Sequence, residues 1–516
     1  MKRFIVVILS TLIYLSSFAQ MSSRDIDRLV EDAMQKFKVV GTSISIVKDG
    51  KIIYSKGYGL KSIESKEQAD KNTQYCIASN SKAFTTTALA MLVEDGKLSW
   101  EDKVVDYIPE FKMYNDYVTN NFNIQDLLTH RSGLGLGAGD LTIFPDGSDF
   151  TIIDIAKNFQ YMKPQTPFRT HFDYDNLLYL IAGEVLQRVS GMSWENFIET
   201  RILKPLEMNH SVSGIDMLKD KKDLASPHAT EKDEIKVIPQ YAQMINGAAA
   251  GIYASSDDVA KWMLVHLNHG RYGDNLEQQL FSQDSQNELW RIHTVTETNR
   301  NPRYNSHFSG YGLGFDLSDI RGNMKVSHTG GMPGMLSKVI MIPDLDFGLV
   351  ILTNTSEGGA FLFESVSSAI VDSYLGLDDF KWVDKYYAYS KTREEHADSV
   401  TIHVWETVKK VNQKKINKEK YIGIYQDPWF GKIEVFMKDK QLWFKSYRSL
   451  KLNGAMYYYQ NDTFAIKWEY RDMNADALAI FTFDGKEKVQ AIKMKGISPN
   501  IDFSFDFQDL DLKRMD

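Results

Sequence analysis

The pattern Ser-x-x-Lys occurs twice in this chain, at Ser45-Ile46-Val47-Lys48 and at Ser79-Asn80-Ser81-Lys82. A serine hydroxyl needs an adjacent base before it can attack a carbonyl, and a lysine amine supplies one when it is neutral and within reach. Local structure separates the two copies. Ser45 lies in a β-rich run, where residues i and i+3 face opposite sides of a sheet and the amine cannot meet the hydroxyl. Ser79 opens a helical pattern with apolar residues at Phe84, Ala88, Met91 and Leu92 that ends near Gly96. On a helix i and i+3 share a face. Burial and the positive end of the helix dipole would both lower the Lys82 amine from its usual ~10.4. On the motif alone a plainer alternative stands beside this one, with Ser79 as an N-cap and Lys82 as a solvated first-turn residue.

Other chemistries lack their residues. There is no G-x-S-x-G elbow, no H-E-x-x-H and no G-x-x-x-x-G-K loop. His266 and His269 have no third ligand clustered with them and read as exposed helix-end histidines. Cys76 is the only cysteine, which excludes an internal disulfide and a cysteine metal cluster. No metal and no cofactor are expected.

Two further segments change the weighting of Ser79. Tyr174-Asp175-Asn176 stands just before an apolar helical pattern, and His328-Thr329-Gly330-Gly331 precedes a strand-like run at Leu336. In this order the three segments resemble the S-x-x-K, Y-x-N and H-x-G signatures of serine hydrolases related to class C β-lactamases and penicillin-binding proteins. Leu127-Leu128-Thr129-His130-Arg131-Ser132-Gly133-Leu134 and Gly251-Ile252-Tyr253-Ala254-Ser255 are similar to that family too. The resemblance covers about residues 25 to 375.

The resemblance implies that Ser79 is the acylated nucleophile and Lys82 its base. Tyr174 would relay a proton to the leaving group, for which its phenol, ~10 when unperturbed, needs cationic neighbours. Asn176 would orient Lys82 and the substrate amide. The N–H groups of Ser79 and Gly331 would form the oxyanion hole, with Gly330 and Gly331 letting backbone approach substrate. His328 stands where β-lactamases and transpeptidases of the family usually carry lysine. A neutral imidazole there, expected to hydrogen-bond near Tyr174 and the substrate, offers no fixed partner for a substrate carboxylate. A peptidase, amidase or esterase is therefore ranked above a true β-lactamase or D-alanyl-D-alanine carboxypeptidase. Two non-enzyme alternatives stay open: a catalytically silent protein that holds cell-wall peptide, and a carbohydrate-binding protein.

The elements that must position these residues follow from periodicity. Ser23 to Phe37 has a helical apolar stripe, and two β-rich runs flank Asp49-Gly50, a strong hairpin signal. Leu336 to Ile342 and Gly348 to Thr353 are strand-like and are followed by a helical run to Tyr374, while helical patterns dominate the middle. The N- and C-terminal strands should pair into one antiparallel sheet. From Tyr421 onward, short β-rich runs recur without helices, as in a small barrel. Tyr457-Tyr458-Tyr459 reads as strand and core rather than a sugar platform. The expected class is α/β (α+β): an antiparallel sheet flanked by helices with an all-helical subregion, then a lipocalin-like β domain.

Residues 1–19 carry Lys2 and Arg3, an apolar stretch and small residues near Ala19, which reads as a secretory signal peptide. Residues 20–378 form the hydrolase domain, 379–417 a connector and 418–516 the β-rich domain. That domain either narrows the cleft, binds a neighbouring subunit or merely stabilises the chain. Net charge is −8 with a pI near 5.8, so nucleic acid is not expected as a partner. A small-molecule or peptide substrate is expected, with a secreted or periplasmic location and no stable membrane anchor after cleavage. A homo-oligomer stays open.

Overall fold

The structure, a computed structural model, describes residues 20–515 apart from 232–233, 242–243 and 486–487. The expected signal peptide lies outside the described residues. Helix α1 (Ser23–Phe37) starts at a reciprocal cap between Ser22 and Asp25 and buries Ile26, Val30, Ala33 and Phe37. Strands β1 (Gly41–Lys48) and β2 (Lys51–Gly59) pair up to Lys48 and Lys51, with Asp49 and Gly50 both at positive φ in the turn. Helices α2 (Ser81–Glu94), α3 (Leu177–Ser190) and α4 (Ser256–Leu267) follow within the middle of the chain.

Strands β3 (Thr294–Val295), β4 (Ser309–Tyr311), β5 (Asp316–Ile320), β6 (Asn323–Met332), β7 (Met335–Ile342) and β8 (Phe347–Thr353) complete the sheet. Its order is β3-β4-β5-β6-β7-β8-β1-β2, and β1 pairs with β8 in antiparallel register, Ser45 opposite Val350. The chain's early and late strands thus meet as the pattern implied. One face of the sheet packs on α1 and α5 (Ser356–Tyr374), burying Ile44, Ile46, Ile351, Val366 and Ile370 together. The other face meets the helical region. There α2 is buried from Ser81 to Leu92, so its apolar stripe is wider than one face, as befits a helix enclosed on all sides.

Within the connector lie helix α6 (Trp382–Lys410) and a short 3-10 turn at Gln413–Lys415. Strands β9 (Gly423–Asp427), β10 (Gly431–Lys438), β11 (Gln441–Ser446), β12 (Asn453–Gln460), β13 (Thr463–Trp468), β14 (Ala477–Phe483), β15 (Val489–Gly496) and β16 (Leu512–Arg514) form a closed barrel. The closing strand β16 is short and carries Lys513 and Arg514, which hides it from a hydrophobicity reading. Tyr421, Phe464 and Phe481 pack ring to ring within the barrel at 4.7 to 5.5 Å. The tyrosine run lies on β12, and Tyr457 packs edge-on to Trp405 of α6. Among the described residues no helix is long and apolar enough to cross a membrane.

Candidate active site

Ser79 sits in a one-turn 3-10 segment, Ala78–Asn80, between a short strand, Tyr75–Cys76, and α2. Ala78 has φ +47, a left-handed conformation that costs an L-residue about 1–2 kcal/mol. Its neighbours hold it there. The Ile77 N–H donates to Ile252 O at 2.9 Å, and the Ile77 carbonyl accepts from Ser337 Oγ at 2.6 Å. Asn80 Nδ2 donates to the same Ser337 Oγ at 2.8 Å, so β7 clamps the turn on both sides of Ser79. Ser79 itself stays partly exposed while residues 75–78 are buried.

Lys82 is fully buried one turn on, with Nζ 3.0 Å from Ser79 Oγ. The same amine lies 2.8 Å from Asn176 Oδ1 and 3.2 Å from Ala249 O. Both of those oxygens can only accept. A neutral amine therefore spends its two N–H groups on them and turns its lone pair to the Ser79 hydroxyl. Burial pushes the Lys82 amine down to about 7, against the opposing pull of Asp140 and Asp175. The Tyr174 and Tyr179 rings lie 4.9 and 5.3 Å from Nζ and favour the ammonium once a proton arrives.

Tyr174 borders the same space. Burial pushes its phenol well up, although the neighbouring Ser79 hydroxyl works the other way. The lowered phenol that a base role requires is thus not present, and Tyr174 is a proton donor in the resting site. Its ring is held by His130, 4.2 Å away. His130, itself at φ +51, accepts the Asp175 N–H on Nδ1 at 3.1 Å. Asn176 uses both ends of its amide: Oδ1 accepts from Lys82, and Nδ2 donates to Asp140 Oδ2 at 2.8 Å. It thus contacts Lys82, while its N–H goes to a carboxylate rather than to a substrate amide. Burial pushes Asp140 up to about 7.

Strand β6 supplies the opposite wall. A Cβ on Gly330 would stand 2.1 Å from Ile77 O, 2.4 Å from Ser337 Oγ and 3.0 Å from Ser79 N. Gly330 is therefore needed to seat the strand against the turn that carries Ser79. Gly331 is exposed, and a Cβ there would meet only Leu336, at 3.3 Å. His328 departs from expectation. Its Nδ1–H donates to Thr329 O at 2.6 Å, and its Nε2 accepts from the Tyr311 hydroxyl at 2.9 Å. Its ring centroid is 6.2 Å from that of Tyr174, and both nitrogens are already engaged within the protein. Burial holds the imidazole down at about 3, so it is neutral.

The remaining candidates fall outside this constellation. Ser45 bonds with Ser55 and Ser256 while Lys48 pairs with Asp49, so the first S-x-x-K is no dyad. His269 is exposed, but His266 is buried, contrary to the exposed reading. It bonds to Gln286 Oε1 at 2.9 Å and packs on Trp262 of its own helix and on Phe281 and Phe315 from later segments, a core histidine. Among the described residues no group of three or more His, Cys, Asp or Glu is placed to hold a metal. Asp140, Ala249 and Tyr311 were not singled out beforehand. The alternating glycines Gly310, Gly312 and Gly314 flag Tyr311, and Gly133, Gly135, Gly137 and Gly139 lead into Asp140, whereas Ala249 contributes only a carbonyl.

Known proteins share much of this chain. The family model described as Beta-lactamase matches residues 26–365, and a domain of unknown function, DUF3471, matches residues 407–514. Protein flp of Staphylococcus aureus (strain MW2) is 28% identical over 354 residues, 68% of this chain and 67% of its own. Unguisins hydrolase ungD of Aspergillus violaceofuscus is 26% identical over 388 residues, 70% of this chain and 67% of its own. The octameric penicillin-binding protein homologue from Pyrococcus abyssi superposes with a TM-score of 0.60 at 21% identity, covering 96% of this chain and 100% of that one. The shared fold thus spans the sheet, the helical region and the barrel.

Proposed function

Because this chain belongs to the β-lactamase family and is a serine hydrolase, we propose that it cleaves amides or esters of peptide-like substrates through an acyl-enzyme on Ser79, as a peptidase, amidase or esterase. One observation carries this reading. When the amine is neutral, its two N–H groups go to the Asn176 and Ala249 oxygens and its lone pair faces the Ser79 hydroxyl, 3.0 Å away.

Ser79 Oγ bonds to the substrate carbonyl carbon as its proton passes to Lys82 Nζ. The carbonyl oxygen becomes an oxyanion, which the Ser79 and Gly331 N–H groups stabilise; a donor of this kind is typically worth ~3 kcal/mol. Collapse breaks the bond to the leaving amine or alcohol, which takes the Tyr174 phenol proton. Lys82 then returns its proton to Tyr174. Water repeats the cycle on the acyl-serine and releases the acid.

Substrate class follows from position 328. A neutral His328 with both nitrogens engaged supplies no cation for a substrate carboxylate. This favours neutral amides and esters over penicillins or D-alanyl-D-alanine termini. Export belongs to the same proposal and rests on the signal pattern of residues 1–19. N-terminal sequencing of protein recovered from the medium or periplasm should begin at Gln20.

The test is turnover of short-chain nitrophenyl esters, D-amino-acid amides and a chromogenic cephalosporin by wild type and His328→Lys. Wild type should prefer the first two. His328→Lys should raise the cephalosporin-to-ester ratio of kcat/KM by roughly tenfold, since part of the ion-pair energy is lost to desolvation. A wild-type preference for the cephalosporin, with the ratio unmoved by the substitution, would favour the β-lactamase reading.

A further inference from the structure

The contacts of Lys82 continue out of the hydrolase domain. Asn176 links Lys82 to Asp140, and the same oxygen, Asp140 Oδ2, accepts from Ser504 Oγ at 2.9 Å. Ser504 lies between β15 and β16 of the barrel. Two residues on, the Asp506 carboxylate accepts the Gly139 N–H at 2.8 Å and the Leu141 N–H at 2.9 Å, the backbone on either side of Asp140. Ser504, Asp506 and Asp140 are all buried.

The neighbouring contact points the same way. Phe503 meets the Tyr174 ring edge-on at 5.9 Å, and a Cβ on Gly137 would come within 2.7 Å of the Phe503 ring. Gly137, at φ +68, donates its N–H to the Tyr174 carbonyl at 2.7 Å. The glycine-rich loop is therefore pressed between the site and the barrel. An interface that served only adhesion would gain more from apolar contacts, because burying carboxylates carries a desolvation cost. Here two buried carboxylates stand in a chain that ends on the amine beside the nucleophile.

We propose that the barrel is a working part of the active site: Ser504 and Asp506 are positioning residues that fix Asp140, through it Asn176, and so hold Lys82 in register with Ser79. This rests on the reading of Lys82 as the base. Burial of the barrel's segment against the loop makes the register a property of the whole chain rather than of the hydrolase domain alone.

The experiment uses the full chain and a neutral nitrophenyl ester from pH 5 to 9, with thermal unfolding measured alongside. Ser504→Ala should lower kcat roughly tenfold, the worth of one hydrogen bond, and leave KM within about twofold. It should also move the acid limb of kcat/KM to lower pH. The sign follows from the chain: without the Ser504 donor Asp140 ionises less readily, supports the Lys82 ammonium less, and the amine loses its proton at lower pH. Ser504→Thr, which keeps the hydroxyl, should restore both. If Ser504→Ala does not fold, Ser504→Cys, a close isostere with a weak donor, is judged by the same criteria. Unchanged kcat and an unmoved limb, whatever happens to the unfolding temperature, would make the barrel a stabilising appendage and overturn the inference. A wild type with no esterase activity and no adduct on Ser79 would instead defeat the reading on which it rests.

Discussion

On the proposed mechanism, Lys82 sets the pH dependence of the site. With the amine depressed to about 7, the reactive neutral form grows in as pH rises, so kcat/KM for a neutral ester should climb tenfold per unit below pH 7 and level off above it. Lys82→Arg keeps charge but cannot become neutral, and should cost roughly 10³-fold in kcat. Asp140→Asn removes a charge that raises the Lys82 value, so its acid limb should lie at lower pH than wild type. A limb that stays put would remove Asp140 from the account. Ser79 and Lys82 were legible in the sequence because a helix turns spacing directly into contact. Asp140 was not, because its importance arises from a hydrogen bond to Asn176, 36 residues away. His328 was legible as a neutral group, but its partner was misjudged. Tyr311 lies on an adjoining stretch of sheet whose register the residues around His328 do not reveal.

At the scale of elements, the site is a junction of the α2 turn, the strand β6 and the loop before α3. Gly330 is where the first two touch. Gly330→Ala would drive a methyl against the Ile77 carbonyl and should destabilise the protein by several kcal/mol, about 3 on the scale of overpacked cores. Gly331→Ala, whose methyl would meet only the end of the Leu336 side chain at 3.3 Å, should fold normally. Thermal unfolding and the rate of active-site labelling separate the two, and equal effects would contradict the seating role given to Gly330. The pairing of β1 with β8 was readable from two distant β-rich runs, and the Asp49-Gly50 hairpin from its turn residues. The 3-10 turn at Ala78–Asn80 was not readable: Ala78 has no intrinsic preference for positive φ and is forced there by Ser337 and Ile252.

For the whole molecule, the barrel and the hydrolase domain share an interface that joins apolar packing, such as Phe150 on Phe430 at 6.2 Å, to polar anchors. Arg448 lies 3.8 Å over the Phe150 ring and donates to Asp149 Oδ1 and Asp154 Oδ2 at 2.6 and 2.8 Å. Because this side chain is half-buried, Arg448→Ala should lower stability by only about 1 kcal/mol and leave the pH limb unmoved, unlike Ser504→Ala. Barrel strands were visible in the sequence as short β-rich runs, but their docking was not, since Ser504 and Asp506 look like ordinary loop residues until the fold brings them to Asp140. The central claim is that Ser79 is acylated with a neutral Lys82 as its base. Peptide mass spectrometry of the full chain after timed exposure to a fluorophosphonate, from pH 5 to 9, tests it most directly. The account predicts one adduct, on the peptide containing Ser79, forming tenfold faster per pH unit up to about 7 and then at a constant rate, and absent in Ser79→Ala. An adduct on another residue, or a Ser79 labelling rate that does not change across that range, would contradict it.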